Sequence, residues 1–401
     1  MKNLTIFSKH FWPENFKIND IAFKLKKRIT VHVFTSEPNY NSFNYKHKKK
    51  EVIYKGVKIR YFNTFKKTKD NFINIFLDYF SYILNLTLRI NFFLKEKSDI
   101  TLTFATSPIF QAIPAIYFSK LKNIPSIIWV QDLWPEVLED TGYVKNKLIL
   151  KLINRLVNII YNSSDFILVQ SDSFKKHLLK NYDLKNKILT LHQPSEFKFQ
   201  KFDKKKKKIF YITYAGNFGK AQNFDTIINA FKSGKLNKQV KLILIGSGKK
   251  FEYIKNEIKL NNLNDKIILK NYVNKKKLLQ IYKLSSAFFL SLNDGKSLNK
   301  TIPGKFQTYL AFGKPIIVNS NSDLNKFIIK NKIGFASKNK DLKRLISDIN
   351  KISKLSENKK KKIYLSSKKV YEENFNINDI SDKLIKILEK VKNRYAKETI
   401  L

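Results

Sequence analysis

Residues 301–315, TIPGKFQTYLAFGKP, contain the residue types of an anion-binding site at the start of a helix. Thr301 can cap the helix, and Pro303 suits its first turn. Gly304 has no side chain, so a phosphate can approach the backbone N–H groups, and Lys305 adds a cation for a diphosphate. A plain capped helix is the alternative, but the position after a predicted strand favours a phosphate site.

Two further glycine-containing loops follow apolar runs in the same half of the chain, at residues 214–222 and 245–249. Their glycines permit tight turns, and Lys220 can reach a phosphate. Each loop alone could be a simple turn between a strand and a helix. Three such loops at strand ends of one domain fit a nucleotide site. The predicted donor-binding residues are Gly216, Asn217, Gln222, Gly246, Gly248, Pro303, Gly304 and Thr308.

In the first half of the chain, residues 129–136, WVQDLWPE, run from a predicted strand into a loop. Asp132 and Glu136 are carboxylates, and Trp134 is an aromatic surface of the kind on which sugars stack. The alternative is a loop carboxylate that caps the next helix. Polar and aromatic residues at several strand ends predict a carbohydrate-facing wall. Its predicted acceptor-binding residues are Glu14, Asn15, Asn39, Ser107, Gln131, Trp134 and Glu136.

The elements that must position these loops are short apolar runs alternating with helical patterns. Strands that are apolar throughout and separated by helices indicate a parallel sheet covered on both faces. The predicted strands are residues 4–8, 30–35, 101–105, 126–130 and 166–170 in the first half, and 210–215, 240–246, 266–269, 287–292 and 315–319 in the second.

The 401 residues suit two domains better than one. We predict an α/β fold with two doubly wound, Rossmann-like domains facing a cleft, residues 1–197 and 209–375. The segment 198–208, KFQKFDKKKKK, is the predicted basic linker between them, and residues 376–401 contain a final amphipathic helix. Ligands of open α/β sheets bind at the carboxyl ends of the strands, where all the loops above are expected.

The net charge of +46 comes mostly from lysine, because 72 of the 78 basic residues are Lys and six are Arg. Nucleic-acid sites favour clustered Arg, so no specific nucleic-acid partner is expected. Coding bias in an AT-rich genome is one interpretation of the lysines, and attraction to lipid headgroups or phosphorylated substrates is a second that is compatible with it. The chain has no Cys, and its five His show no metal-ligand spacing, so no metal site is predicted.

The most membrane-like stretch is residues 71–94, which is rich in Phe, Tyr, Ile and Leu. Asp78 and Arg89 interrupt it, so a spanning helix is not expected, while an interfacial or buried amphipathic helix is. The N-terminal apolar run is too short for a signal peptide. We therefore expect a cytoplasmic protein that is able to lie on the inner face of the cytoplasmic membrane.

Six strings occur in order along nearly the whole chain: HFWPENFKINDIAFKL, TSEPNY, WVQDLWPEVLEDTG, AGNFGKAQNFDTI, IGSG and PGKFQTYLAFGKPI. Together they resemble glycosyltransferase family 4, and most closely the fucosamine and related aminosugar transferases of O-antigen and capsule assembly. The resemblance implies the GT-B fold, with the C-terminal helix crossing back to the first domain. It also implies metal-independent, retaining transfer from a UDP-sugar to a lipid-diphosphate-linked saccharide, without a cofactor.

In that reaction Lys220 and Lys305 would stabilise the leaving phosphate, and Asp132 would orient the acceptor or stabilise the oxocarbenium-like centre. The chain departs from the family where many members carry two Glu eight residues apart, because these positions are Lys300 and Thr308. Thr308 can hydrogen-bond a ribose but cannot act as a carboxylate. The alternatives are an inactive partner subunit that binds the donor, a sugar-nucleotide epimerase of the same architecture, and a basic nucleic-acid-binding protein.

Overall fold

The computed structural model describes residues 1–38, 50–65, 72–203 and 208–400. The chain forms two compact units. Unit 1 comprises Met1–Pro194 with Ile377–Leu401, and unit 2 comprises Ser195–Asn376. Each unit contains a mainly or wholly parallel sheet with helices packed on it. The predicted fold class, two Rossmann-like α/β domains, is therefore confirmed.

The strands of unit 1 form a sheet in the order β3-β4-β2-β1-β5-β6-β7-β8, in which only the β3–β4 pair is antiparallel. Unit 2 has a parallel sheet in the order β11-β10-β9-β12-β13-β14. The strands are β1 Asn3–Phe7, β2 Thr30–Ser36, β3 Glu51–Tyr54, β4 Val57–Phe62, β5 Ile100–Ala105, β6 Ser126–Val130, β7 Phe166–Val169, β8 Ile188–Thr190, β9 Phe210–Ala215, β10 Val240–Ile245, β11 Ile267–Lys270, β12 Ala287–Ser291, β13 Ile316–Asn319 and β14 Gly334–Ser337.

The helices connect these strands and cover the sheets. They are α1 Lys17–Leu25, α2 Phe72–Arg89, α3 Ile113–Lys122, α4 Glu136–Asp140, α5 Lys147–Asn162, α6 Asp172–Asn181, α7 Asp225–Lys232, α8 Phe251–Leu260, α9 Lys275–Leu284, α10 Gly304–Leu310, α11 Asp323–Lys330, α12 Leu342–Ser353, α13 Glu357–Asn374 and α14 Ile377–Ile400. Helix α14 packs on α1, so the predicted return of the C-terminal helix to the first domain is confirmed.

The central strands of unit 1 are buried along their whole length. Strands β5, β6 and β7 have no exposed residue, as expected for strands of a parallel sheet covered on both faces. Their carboxyl ends lead into the loops that carry Ser107, Gln131 and Gln170. The sheet therefore brings to one edge loops that are far apart in the chain.

The predicted linker, residues 198–208, differs from expectation in its first part. The units divide after Pro194, and the ring of Phe199 packs on those of Tyr364 and Tyr371 of unit 2. The Gln200 N–H donates to the Ala311 carbonyl over 2.8 Å. Apolar side chains between the lysines thus attach this segment to unit 2, while residues 204–207 lie outside the described residues.

Helix α2 lies in the membrane-like stretch noted above and turns a four-residue repeat toward the sheet. Asp78, Tyr82, Leu86 and Ile90 are all fully buried. The Asp78 carboxylate accepts from the Lys9 ammonium over 2.8 Å, and both side chains are 0% exposed. Lys9 follows β1, so this ion pair attaches α2 to the carboxyl edge of the sheet. Among the described helices, none is long and apolar enough to span a bilayer.

We expect Asp78→Asn to lower the free energy of unfolding by about 3–5 kcal/mol, because it leaves the Lys9 ammonium buried without this counter-charge. Replacing both partners, as in Lys9→Met with Asp78→Leu, should recover most of the loss, since apolar side chains need no counter-charge. Urea denaturation followed by circular dichroism measures both.

The matched control is Arg28→Ala, which breaks the ion pair of Arg28 with Asp382 on α14. Both of these side chains are 55% exposed, so the loss should stay below about 1 kcal/mol. A loss for Asp78→Asn no larger than that of this control would contradict a structural role for the buried pair.

Candidate functional site

In unit 2, two adjacent parallel strands end in loops that continue to pair. After β9 and β10, the Gly216 N–H donates to the Ile245 carbonyl and the Phe218 N–H to the Ser247 carbonyl, each over 2.8 Å. The loops therefore lie side by side at the carboxyl edge of the sheet. This pairing brings together the predicted donor-binding residues Gly216, Asn217, Gly246 and Gly248.

Two of these glycines are required by close packing. Gly246 has φ +150°, and a Cβ there would lie 1.8 Å from the Gly216 carbonyl oxygen. Gly216 has φ +147°, and a Cβ there would lie 1.9 Å from Cε of Lys305. Any larger side chain would push the two loops apart or displace the lysine. The absence of a side chain at Gly246 lets the two loops pack together, and its absence at Gly216 makes room for Lys305 of α10.

The start of α10 differs from the prediction in its cap. Pro303 occupies the N-cap position and makes no side-chain cap, while the Thr301 hydroxyl donates to the Ser297 carbonyl over 3.0 Å. Thr301 ends a 3-10 turn, Leu298–Lys300, and therefore does not cap α10. Lys305, the second residue of α10, lies against the Gly216 loop, because a Cβ on Gly216 would be 1.9 Å from its Cε.

Lys305 is a half-buried cation at the centre of this arrangement. Its Nζ lies 5.0 Å from the centroid of the Tyr214 ring, whose aromatic face attracts a cation. Burial disfavours the ammonium and lowers the pKa of Lys305 to about 8. An anion bound beside it would favour the charged form, so this lysine is suited to respond to a phosphate.

Sequence reasoning missed Glu196. The hydroxyl of Thr308, which is buried on α10, donates to Oε1 of Glu196 over 3.2 Å. Burial raises the pKa of the Tyr309 phenol, the hydrogen bond from the Ala215 N–H opposes that rise, and the Glu196 charge adds to it. The Tyr309 oxygen accepts from the Ala215 N–H over 2.8 Å. A carboxylate therefore stands beside Thr308, near the end of β9, although the motif itself has none.

The remaining part of the β9 loop is held by polar contacts. Oε1 of Gln222 accepts from the Gly219 N–H over 3.0 Å, so this predicted donor-binding side chain shapes the loop. The Asn293 side chain donates to the Lys220 carbonyl over 2.6 Å. The Lys220 side chain itself is exposed, so its ammonium can meet a ligand from solvent.

In unit 1, three predicted residues come together where β5 and β6 end. Oδ2 of Asp132 accepts from the Ser107 N–H over 2.9 Å and from its hydroxyl over 2.8 Å. The Trp134 indole N–H donates to the same hydroxyl oxygen over 3.1 Å. Burial raises the pKa of Asp132, and the two Ser107 hydrogen bonds oppose that rise.

Trp134 is not the exposed sugar platform that the sequence predicted. Its side chain is only 7% exposed and packs edge-on against Phe110, with ring centroids 5.4 Å apart. The ring fills a core cluster beneath the loop. Its indole N–H instead positions Ser107, which in turn holds Asp132.

The other predicted acceptor-binding side chains are mostly engaged in local contacts. Glu136 accepts from Nε2 of His177 on α6, and Glu14 pairs with Nδ1 of His10 over 3.0 Å while both are buried. Asn15 is exposed. Asn39 lies outside the described residues.

Gln131 belongs to a small amide network at the ends of β6 and β7. Its side chain donates to the Trp129 carbonyl over 3.1 Å and accepts from Gln193. The Gln170 side chain donates to the Gln131 carbonyl over 2.6 Å. This network fixes the backbone immediately before Asp132.

Residues 194–370 match the family model for glycosyl transferases group 1. Unit 2 is therefore a glycosyltransferase domain. The match covers the paired loops, Lys305, Thr308 and Glu196. No curated protein sequence is similar enough to the chain to count as a relative.

Solved structures of similar fold cover nearly the whole chain. HepE from Anabaena, in complex with UDP, has a TM-score of 0.70 at 11% identity and covers 97% of this chain and 100% of its own. Sucrose-phosphate synthase from Thermosynechococcus elongatus has a TM-score of 0.76 at 12% identity, covering 98% and 99%. A glycosyltransferase from Rickettsia africae has a TM-score of 0.67 at 14% identity, covering 97% and 98%. At these identities the similarity concerns the fold, two Rossmann-like units of the GT-B type.

The lowered pKa of Lys305 predicts pH-dependent diphosphate binding. Most of the lysine is charged at pH 7, and the charge is lost as the pH rises through 8. The affinity for UDP should therefore fall about ten-fold between pH 7 and pH 9 if the bound lysine stays charged. Isothermal titration calorimetry at both pH values measures this change.

Lys305→Arg should remove the pH dependence, because a guanidinium stays charged throughout this range. Lys305→Ala should bind UDP weakly at both pH values. Lys326→Ala on α11, which removes an exposed ammonium, is the matched control and should behave like the wild type. A wild-type affinity that is constant from pH 7 to pH 9 would show that Lys305 is not at the diphosphate.

Proposed function

We propose that the chain is a retaining glycosyltransferase of family 4, and that it transfers an N-acetylated aminosugar such as FucNAc from its UDP-sugar to a lipid-diphosphate-linked saccharide. The reaction would serve bacterial surface polysaccharide synthesis, O-antigen or capsule, in the cytoplasm at the inner face of the cytoplasmic membrane. The observation that carries the proposal is the convergence of Lys305, the Gly216 loop and the Thr308–Glu196 pair in a glycosyltransferase domain.

The donor diphosphate would bind beside Lys305, over the backbone of the Gly216 and Gly246 loops. Gly216 and Gly246 have no side chains that would keep phosphate oxygens away from this backbone. Lys220 would add a second positive charge from the exposed side of the loop. HepE, which has a similar fold, is solved in complex with UDP, and this supports a uridine nucleotide as the donor's carrier.

The nucleoside ribose would hydrogen-bond to Glu196 and Thr308. A carboxylate accepts from two neighbouring hydroxyls, which matches the 2′ and 3′ positions of a ribose. Thr308 holds Oε1 of Glu196 at 3.2 Å and so orients the carboxylate before the ligand arrives. Glu196 would in this way supply the carboxylate that position 308 lacks.

The chemical step would be a front-face substitution. The bond between the anomeric carbon and the diphosphate oxygen breaks while the acceptor hydroxyl oxygen forms a bond to that carbon on the same face. The hydroxyl proton passes to the departing phosphate oxygen. Lys305 and Lys220 stabilise the negative charge that develops on the diphosphate, and the step includes no metal ion or cofactor.

The acceptor would bind the loops of unit 1. Both hydrogen bonds from Ser107 go to Oδ2 of Asp132, so an acceptor hydroxyl would bind at Oδ1. Burial of Asp132 strengthens that hydrogen bond by excluding water. Asp132 would therefore orient the acceptor hydroxyl.

A donor-binding partner subunit without transferase activity is the second candidate. It is favoured by one observation, that Lys300 and Thr308 stand where many members of family 4 carry glutamates. The two candidates share the donor site and differ in turnover, so binding and transfer must be measured separately.

A thermal-shift panel with UDP, GDP, ADP, CMP and dTDP tests the donor site. Selective stabilisation by UDP and by one UDP-aminosugar is expected, because a ligand that binds only the folded state raises its melting temperature. Release of UDP from that UDP-sugar in the presence of a lipid-diphosphate saccharide then measures transfer. Stabilisation without release would favour the partner subunit, and no shift with any nucleotide would overturn both candidates.

Glu196→Gln tests the ribose contact. We expect the affinity for UDP to fall about ten-fold or more, because hydrogen bonds to a charged group contribute about 1.5–3 kcal/mol. The affinity for 2′,3′-dideoxy-UDP should change little, since that ligand lacks both hydroxyls. Calorimetric titration of both nucleotides gives the ratio.

Glu252→Gln on α8 is the matched control, because this side chain is 73% exposed and its loss should leave both affinities unchanged. If the Glu196→Gln variant still preferred UDP over dideoxy-UDP by the wild-type factor, Glu196 would have no contact with the ribose.

A further inference from the structure

Unit 1 has an unusual distribution of exposed apolar side chains. Fourteen of the 25 large apolar residues that are exposed among the described residues lie on α2 with the 3-10 turn that follows it, on α3 and on α5. In unit 2 the exposed apolar residues are scattered, with at most two on any one element, which is normal for a protein surface. The concentration in unit 1 therefore requires an explanation.

On α2 and its following turn, Ile90–Phe93, the exposed residues repeat every four positions. They are Phe76 at 55%, Phe80 at 51%, Leu84 at 46%, Leu88 at 69% and Phe92 at 79% exposure. The rings of Phe76 and Phe80 stack on each other with centroids 5.8 Å apart. This stripe faces solvent, opposite the buried side of the helix that carries Asp78.

Helices α3 and α5 carry stripes of the same kind. On α3 they are Ile113, Tyr117 and Leu121, and on α5 they are Leu148, Ile149, Leu152, Leu156 and Ile159, of which Leu148 is 77% exposed. Helix α2 packs on α3, and both α2 and α5 pack on the turn Ile109–Ala112 that leads into α3. The three helices are therefore neighbours. Their exposed apolar residues are called here the apolar face.

The exposed charges carried by these three helices have one sign. The ionised side chains that these three helices expose are Arg89, Lys120, Lys147, Lys151 and Arg155. The one carboxylate on these helices, Asp78, is buried against Lys9. A helix with an apolar stripe flanked by Lys and Arg is typical of a segment that lies in the interface of an anionic bilayer.

We propose that unit 1 docks on an anionic lipid bilayer through the apolar face, with α2, α3 and α5 lying in the plane of the interface. The apolar side chains enter the acyl boundary, and the five exposed cations contact lipid phosphates. A second copy of the chain fits this face poorly, because pairing two copies would bring five cations against five others. The proposal concerns unit 1 alone and does not depend on the transfer reaction of the proposed function.

Sedimentation of the full chain with vesicles tests the docking. The wild type should bind vesicles of phosphatidylcholine with 30% phosphatidylglycerol at least about ten-fold more tightly than pure phosphatidylcholine vesicles, and 0.5 M NaCl should reduce that preference. Equal binding to the two kinds of vesicle, or binding to neither, would overturn the proposal.

Two sets of substitutions locate the surface. Leu84→Gln with Leu88→Gln on α2, and Leu152→Gln with Leu156→Gln on α5, should each weaken binding to anionic vesicles about ten-fold or more. Because these side chains are exposed, the melting temperature and the affinity for UDP should not change. Leu260→Gln with Leu284→Gln in unit 2, which are 76% and 58% exposed, is the matched control and should bind vesicles like the wild type.

Light scattering of the same variants without lipid tests whether the apolar face instead binds a second copy of the chain. If the wild type were a dimer that these substitutions dissociate, and vesicle binding were unaffected, the apolar face would be an interface between copies and the proposal would be wrong. Weaker vesicle binding with no change in molecular mass would support it.

Discussion

The buried ion pair between Lys9 and Asp78 is the constraint on which much of unit 1 depends. A carboxylate buried on α2 would be very unfavourable without a cation, so Asp78 fixes which side of the helix faces the sheet. Once that side of α2 is fixed, the residues on the opposite side of the helix, which include Phe76 and Phe80, must face solvent. The polarity of α2 is therefore inverted at this point, with a charge inside and phenylalanines outside.

In unit 2 the corresponding constraint is steric. Gly216 and Gly246 let two loop backbones and the Lys305 side chain occupy the space that ordinary side chains would fill. This packing places a lysine with a lowered pKa against backbone at the carboxyl edge of the sheet. The packing of Lys305 against the glycine loops thus has two effects. It fixes where the lysine lies, and it makes the protonation of the lysine sensitive to a bound anion.

The sequence predicted those parts of the fold that local pattern determines. The runs 101–105, 126–130 and 166–170 correspond to β5, β6 and β7 within one residue at each end, since uninterrupted apolar runs have few other solutions. The hairpin of β3 and β4 was not predicted, because Glu51, Lys58 and Arg60 interrupt its apolar residues. The strand β8 was not predicted because it has only three residues. In the candidate site, the glycine loops and Lys305 were predicted from their positions at the ends of apolar runs. Burial of Trp134 depends on Phe110, a contact that no local pattern encodes.

The contact between Thr308 and Glu196 places a carboxylate beside a position of the motif that itself has none. The two residues are 112 positions apart, yet their side chains are in hydrogen-bond contact. A comparison based on motif spacing counts this chain as lacking a carboxylate at position 308, although the Glu196 carboxylate lies in contact with the side chain of that residue. If Glu196 binds the ribose as proposed, a missing motif residue is not by itself a reason to sort a protein as inactive, because another segment can supply the same chemical group.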